Sequence, residues 1–109
     1  METTANKNES FADILNGSTP VLVDFFAEWC GPCRLMRPIL EELHGKMGDK
    51  VRILKIDIDR SPALADNLNI HSVPTLMLFQ NGKSLWRHSG ILQAIQLQKI
   101  ITQFITNQQ

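Results

Sequence analysis

The chain has 109 residues, of which 43% are hydrophobic and 20% are charged, and this size and composition are typical of a single globular domain. Eleven basic residues balance eleven acidic ones, so no excess charge favours binding to nucleic acid or to an anionic membrane. The polar opening METTANKNES lacks the features of a secretory signal, and no apolar run approaches the ~20 residues of a membrane span. The sequence therefore predicts a cytoplasmic protein.

The first third of the chain predicts a short helix and then a strand. Ser10 has an acid three residues later, at Asp13, which is the spacing of a helix capping box, and Gly17 is a plausible end for this helix. The apolar run VLVDFFA, from Val21 to Ala27, predicts a strand that is covered on both faces. One residue in it, Asp24, breaks the apolar pattern.

A longer helix and a second strand follow. Apolar residues recur at helical spacing and Gly48 closes the pattern, while Pro38 predicts a kink within this helix. The stretch from Val51 to Ile58 predicts a strand, and Ser61-Pro62 predicts the cap and first position of a brief helix that ends at about Leu68. The alternation of strand and helix favours parallel pairing with right-handed crossovers. The apolar positions of the longer helix are Leu35, Met36, Ile39, Leu40, Leu43 and Met47.

The last third predicts a β-hairpin and a final helix. Asn81-Gly82 stands between two strand-like runs in TLMLFQNGKSLWRH, and both residues tolerate the positive φ of a tight hairpin turn. An apolar stripe then marks the final helix. We expect an α/β fold with a mixed central sheet and helices on both faces. The stripe comprises Leu97, Ile100, Ile101, Phe104 and Ile105.

The only two cysteines lie in the stretch WCGPC, as Cys30 and Cys33. A zinc site needs four ligands, and His44, His71 and His88 are scattered singly, so the sequence predicts no metal site. A structural disulfide across so short a loop would stabilise the fold little.

The stretch WCGPC also fits a third interpretation, a redox-active pair of cysteines. Cys30 would end a strand-to-helix loop, and Cys33 would lie in the first turn of the helix, at a separation compatible with disulfide geometry. The helix N-terminus would stabilise a Cys30 thiolate and so lower the pKa of this cysteine. A cysteine whose pKa lies near neutral pH attacks disulfides efficiently.

Two stretches, VLVDFFAEWCGPCRLMRPIL and SVPTLMLFQNGK, together with Gly90, resemble the thioredoxin family from about Phe11 to Phe104. The resemblance implies a thioredoxin fold in which Cys30 attacks a client disulfide and Cys33 resolves the mixed disulfide. Thioredoxins are the standard example of a lowered cysteine pKa, so the expectation for Cys30 is not independent of the resemblance. We expect the domain to span residues 10–106. Residues 1–9 would form a flexible or weak segment, in which only Thr3 to Asn6 could add a fifth strand to the sheet.

The resemblance also implies a role for Asp24 and Lys55. Asp24 would lie beneath the cysteines and handle the proton of Cys33, with Lys55 in the neighbouring strand as its charge partner. A charge in a buried strand is costly unless it has a task or a partner. Two other interpretations remain open for Asp24, namely an edge position or a structural hydrogen bond, and Lys55 could be a solvated strand residue.

A substrate-binding surface around the cysteines is the next implication. Pro74 would be the cis-proline of the family, exposing backbone that pairs with a client chain, although the sequence alone would treat it as an ordinary turn former. Trp29 could simply pack in the fold, but an aromatic beside a reactive loop more often contacts partners. The full predicted surface comprises Trp29, Gly31, Pro32, Val73, Pro74, Gly90 and Ile91.

Partners and alternatives complete the prediction. No glycine-rich dinucleotide fingerprint is present, so we expect no bound cofactor and a supply of electrons from another protein. The resemblance implies that this electron donor is a flavin-containing thioredoxin reductase, and we expect the chain to be a monomer. A disulfide-forming relative would typically carry histidine where Pro32 stands, and a binding module would use the surface without redox turnover. Two residues depart from the family pattern: Phe26 stands where many members have tryptophan, and Arg37 stands where a small residue is common.

Overall fold

The computed structural model describes residues 10–106 and shows an α/β domain. The segment predicted to be flexible or weak, residues 1–9, lies outside the described residues, and so does the possible strand from Thr3 to Asn6. The elements in chain order are α1 (Phe11–Leu15), β1 (Val21–Phe26), α2 (Gly31–Met47), a short 3₁₀ helix (Gly48–Lys50), β2 (Arg52–Asp57), α3 (Pro62–Asn67), β3 (Thr75–Gln80), β4 (Lys83–Ser89) and α4 (Ala94–Thr106). Each element predicted within residues 10–106 is present, and the predicted and observed ends agree closely.

The described strands form one mixed sheet in the order β2-β1-β3-β4. Strand β1 pairs parallel with β2 and antiparallel with β3, and β4 is the antiparallel edge beyond β3. Strand β1 therefore has a neighbour on each side. The helical connection from β1 to β2 by α2 is the parallel crossover that the alternation of elements predicted.

The two faces of the sheet are covered by different helices. Leu22 belongs to a buried cluster with residues of α2 and α4, whereas Val23 and Phe25 belong to a cluster with residues of α1 and α3. Because successive side chains of a strand point to opposite faces, β1 contributes to both clusters. The prediction of helices on both sides of the sheet is confirmed.

Two local predictions need correction. Leu35 was placed on the apolar face of α2, but it is 58% exposed, because it lies next to the buried stripe rather than within it. Ser61 occupies the position before α3, but its side chain makes no capping hydrogen bond. Helix α1 ends at Leu15 with Asn16 as its C-cap, so Gly17 stands directly after the cap, where a glycine that ends a helix is expected. The helix-closing role of Gly48 is confirmed by its φ of 54°.

The tip of the β3–β4 hairpin is tied to the loop after α1. Asn81 and Gly82 have φ of 53° and 78°, the left-handed values expected for this turn. The Asn81 N–H donates to the Gly17 carbonyl at 3.0 Å, and the Gly82 N–H donates to the Leu15 carbonyl at 2.8 Å. These bonds hold α1 against the sheet.

Within residues 10–106, no helix is long and apolar enough to cross a membrane. The same part of the chain contains no group of three His, Cys, Asp or Glu side chains arranged to hold a metal ion.

Replacing Gly82 with alanine should destabilise the protein. The φ of 78° disfavours any Cβ, and the new Cβ would lie 2.5 Å from Asn16 Oδ1. The Asn16 side chain can rotate away, so the backbone term dominates and we expect a loss of about 1–2 kcal/mol in the free energy of unfolding.

Urea denaturation provides the measurement, and Gly45→Ala provides the control. Gly45 lies within α2, with no atom within 4 Å of the added Cβ, so its replacement should stabilise the helix by about 0.5–1 kcal/mol. Equal effects of the two substitutions would contradict this account of the turn.

Candidate active site

The two cysteines form a disulfide at the start of α2. Cys30 is the N-cap residue, and the backbone N–H of Cys33 donates to Cys30 Sγ at 3.1 Å. The Cα atoms are 5.3 Å apart, and both side chains are buried. N-cap residues usually satisfy this N–H with an oxygen, so a sulfur takes the place of the usual acceptor. A Cys30 thiolate would therefore have a hydrogen-bond donor directed at it.

A loop before β3 faces Cys30. The Val73–Pro74 peptide bond is cis, as the resemblance implied, and the Val73 carbonyl oxygen lies 3.6 Å from Cys30 Sγ. The Gly90 N–H donates to the Pro74 carbonyl at 2.9 Å, and Gly90 adopts a φ of 107°. Thr75 Oγ1 donates to the Ser72 carbonyl at 2.6 Å. The backbone beside Cys30 Sγ is thus held by one hydrogen bond at Pro74 and by a second one that spans residues 72–75.

Trp29 is 69% exposed beside Cys30, and its indole Nε1 donates to Asp59 Oδ2 at 2.9 Å. Asp59 in turn donates its backbone N–H to Asp57 Oδ1 at 2.9 Å. Asp59 was not among the residues predicted from the sequence. The signal that could have found it is its position after β2, because the carboxyl ends of adjacent parallel strands meet at the same edge of a sheet.

Asp24 is fully buried in β1, on the face of the sheet that α2 covers. It alternates with Leu22 and Phe26, and Leu22 packs in the cluster that contains α2 residues. Since β1 lies between β2 and β3, the interpretation of Asp24 as an edge residue is excluded.

Lys55 is the residue directly opposite Asp24 in the register of β1 and β2. Its Nζ lies 4.8 Å from the ring centroid of Phe26, and its side chain is half-buried. The ammonium group thus stands over an aromatic face at cation–π distance. Lys55 and Asp24 share the sheet face of α2 because they occupy paired positions.

An open cleft of about 520 Å³ lies beside the cysteines. Cys33 and Lys55 both line it, together with the exposed residues Arg34 and Arg37 of α2. Glu28 also lines it, and Arg34 donates to the Glu28 carbonyl oxygen at 3.4 Å. The cleft therefore adjoins the disulfide, and its lining within the described part of the chain has more basic than acidic side chains.

Two apolar residues of the predicted surface pack against different buried clusters. Val73 packs against the buried cluster of Ala27, Cys30 and Cys33, whereas Ile91 packs against the cluster of α2 and α4 residues. The remaining members are the exposed Gly31 and Pro32 in the first turn of α2, the buried Pro74, and Gly90 bonded to Pro74.

Comparison with known proteins identifies the family. The thioredoxin family model matches residues 2–103. A thioredoxin-like protein of Synechocystis is 45% identical over 97 residues, covering 88% of this chain and 92% of that protein. Chloroplastic thioredoxin Y of rice is 47% identical and covers 81% of this chain, which spans 53% of that longer protein.

A solved structure agrees in fold. A mutant thioredoxin of Halobacterium salinarum superimposes with a TM-score of 0.78 at 33% identity, covering 86% of this chain and 81% of that one. The Cys30–Cys33 disulfide lies at the helix start described above. The chain belongs to the thioredoxin family, and it is a thiol–disulfide oxidoreductase that reduces disulfides of client proteins through Cys30 and Cys33.

Proposed function

We propose that Cys30 is the attacking sulfur and Cys33 the resolving one. The supporting observation is the Cys33 N–H that points at Cys30 Sγ from 3.1 Å. A Cys30 thiolate attacks one sulfur of a client disulfide, and the other client sulfur leaves as a thiolate and takes a proton. The Cys33 sulfur, once deprotonated, then attacks Cys30 Sγ, which releases the second client sulfur. Two electrons pass to the client, and Cys30–Cys33 becomes the disulfide.

Asp24 accepts the proton of Cys33 in this scheme. Its position supports the role, because it is buried in the central strand on the face that α2 covers, and Cys33 lies in the first turn of α2. Lys55, opposite Asp24 in the strand register, lines the cleft together with Cys33. Its charge would favour the ionised carboxylate.

The client chain lies along the loop at Val73 and Pro74 in this proposal. The carbonyl of Pro74 is bonded to Gly90, so the groups that would pair with an extended segment, as in strand addition, are those of the Val73 backbone next to Cys30. Trp29, which is held outward by Asp59, supplies exposed apolar area beside Cys30. Gly31, Pro32, Gly90 and Ile91 complete this client surface.

Electrons would arrive from a flavin-containing thioredoxin reductase, and the protein would act as a monomer in a reducing compartment such as the cytoplasm. Disulfides are continually reduced there, which suits a dithiol that must return to its reduced form. A relative that is named chloroplastic indicates that the family also works in plastids.

Replacing Cys33 with serine should trap the mixed disulfide. Cys30 would still attack, because the backbone N–H of residue 33 remains, but no thiol could attack Cys30 Sγ. Mass spectrometry after mixing the reduced variant with a disulfide peptide should show a long-lived adduct on Cys30. The matched control is Cys30→Ser, and an adduct of equal yield on its Cys33 would contradict the assignment.

Coupled turnover tests the electron source. With insulin as client, the protein should support reduction driven by dithiothreitol and also by NADPH with a flavin thioredoxin reductase. Cys30→Ser should lose about 100-fold or more in both assays, because it lacks the nucleophile. Activity with dithiothreitol but not with the reductase would reject the reductase and retain the exchange chemistry.

Replacing Asp24 with asparagine should slow resolution and spare attack. An amide cannot take the proton of Cys33, so release of the second client thiol at neutral pH should fall by about 10- to 100-fold. Formation of the mixed disulfide by Cys30 should stay within about twofold. Rapid-quench kinetics separate the two steps.

The rate of resolution in the Asp24→Asn variant should approach that of the unaltered protein as pH rises, because solvent hydroxide then removes the Cys33 proton without help from Asp24. Asp66→Asn makes the same change at an exposed position on α3 and should leave both steps unaltered. An equal slowing of attack and resolution in the Asp24 variant would indicate a structural role instead.

A further inference from the structure

We propose that the cleft beside Cys33 binds an acidic side chain of the client segment, and that it selects clients with a carboxylate near their disulfide. The cleft has a volume of about 520 Å³, which can admit a side chain of another protein. The inference rests on the proposed function, because the occupant must belong to a chain whose disulfide reaches Cys30.

The position of the cleft ties its occupant to the reacting disulfide. Cys33 lines the cleft, and Arg37 lies four residues further along α2, on the same side of the helix. Arg34 follows Cys33 directly and is also part of the lining. A carboxylate held by these two arginines would therefore lie within a few residues of the client sulfur that Cys30 attacks.

The charges around the cleft favour an anion. Arg34 and Arg37 are exposed, and within residues 10–106 neither guanidinium forms an ion pair. Among residues 10–106, Glu28 is the only acidic residue of the lining, and Arg34 donates to its backbone carbonyl rather than to its carboxylate. Lys55 also lines the cleft, but its ammonium group contacts Phe26 and is the charge partner of Asp24 in the proposed function, so the two arginines supply the charge for an anion.

This charge is a local feature, since the chain as a whole carries eleven basic and eleven acidic residues. Arginine suits the task, because its planar guanidinium matches a carboxylate with two parallel hydrogen bonds. The attraction is partly solvent-exposed, so its effect should depend strongly on ionic strength.

A set of disulfide peptides provides the test. Each peptide carries one glutamate at a different position on either side of the disulfide, and each has a partner with glutamine at that position. Reduction is followed with dithiothreitol as the electron source. For at least one position of the glutamate, we expect kcat/KM for the glutamate peptide to exceed that for the glutamine peptide by about fivefold to tenfold at low salt. The difference should appear in KM and fall towards unity at 1 M salt.

Two variants that each remove one positive charge test whether the preference for glutamate peptides arises in the cleft. Arg34→Gln and Arg37→Gln should each weaken this preference. The double variant should bring the preference below about twofold while the glutamine peptides are still reduced at the original rate. Lys99→Gln removes one positive charge from an exposed position on α4 and should keep the preference.

Two results would overturn the proposal: no position at which glutamate is preferred, or a preference that survives in the double variant. Failure of the unaltered protein to reduce any peptide would instead reject the exchange chemistry, and the cleft proposal would fall with it. The glutamine peptides therefore separate failure of the cleft from failure of the redox centre.

Discussion

The hydrogen bond from the Cys33 N–H to Cys30 Sγ joins the fold to the chemistry. A helix leaves its first N–H groups without internal partners, and a side chain just before the helix usually accepts one of them. In this protein the acceptor is the sulfur that we assign to the attack. The donor that would stabilise a thiolate is therefore set in place by the formation of α2. The helix itself is held by the apolar stripe that it packs against the sheet.

Four residues of the site lie at the same end of the sheet because of the directions of the strands. Cys30 follows β1 and Asp59 follows β2, and these strands are parallel, so both residues lie at the end where the two strands finish. Strand β3 runs the other way, which places the residue before it, Pro74, at that same end. Strand β4 reverses again, so Gly90 lies just beyond its end and bonds to Pro74. Four loops that are far apart in sequence thus meet through alternation of direction alone.

The features that could be predicted from the sequence are those that depend on periodicity and on local chemistry. The elements, the hairpin turn at Asn81-Gly82 and the cysteine pair at a helix start all follow from spacing within a few residues. Asp24 was recognisable because a charge interrupts an apolar run. The contact of Trp29 with Asp59 was not predictable in the same way, because it joins residues 30 positions apart through side-chain orientation. Leu35 was misplaced because helical spacing cannot fix where the edge of a buried stripe falls.

The two sides of the reactive sulfur offer different kinds of recognition. On the side of Val73 and Pro74, the groups nearest Cys30 are backbone atoms, and these can pair with an extended chain of almost any sequence. On the side of Cys33, the cleft presents the side-chain charges of Arg34 and Arg37, which distinguish one sequence from another. A reductase of many clients needs the first kind of contact to accept varied substrates. The second kind would let this chain rank those substrates without altering the chemistry at Cys30.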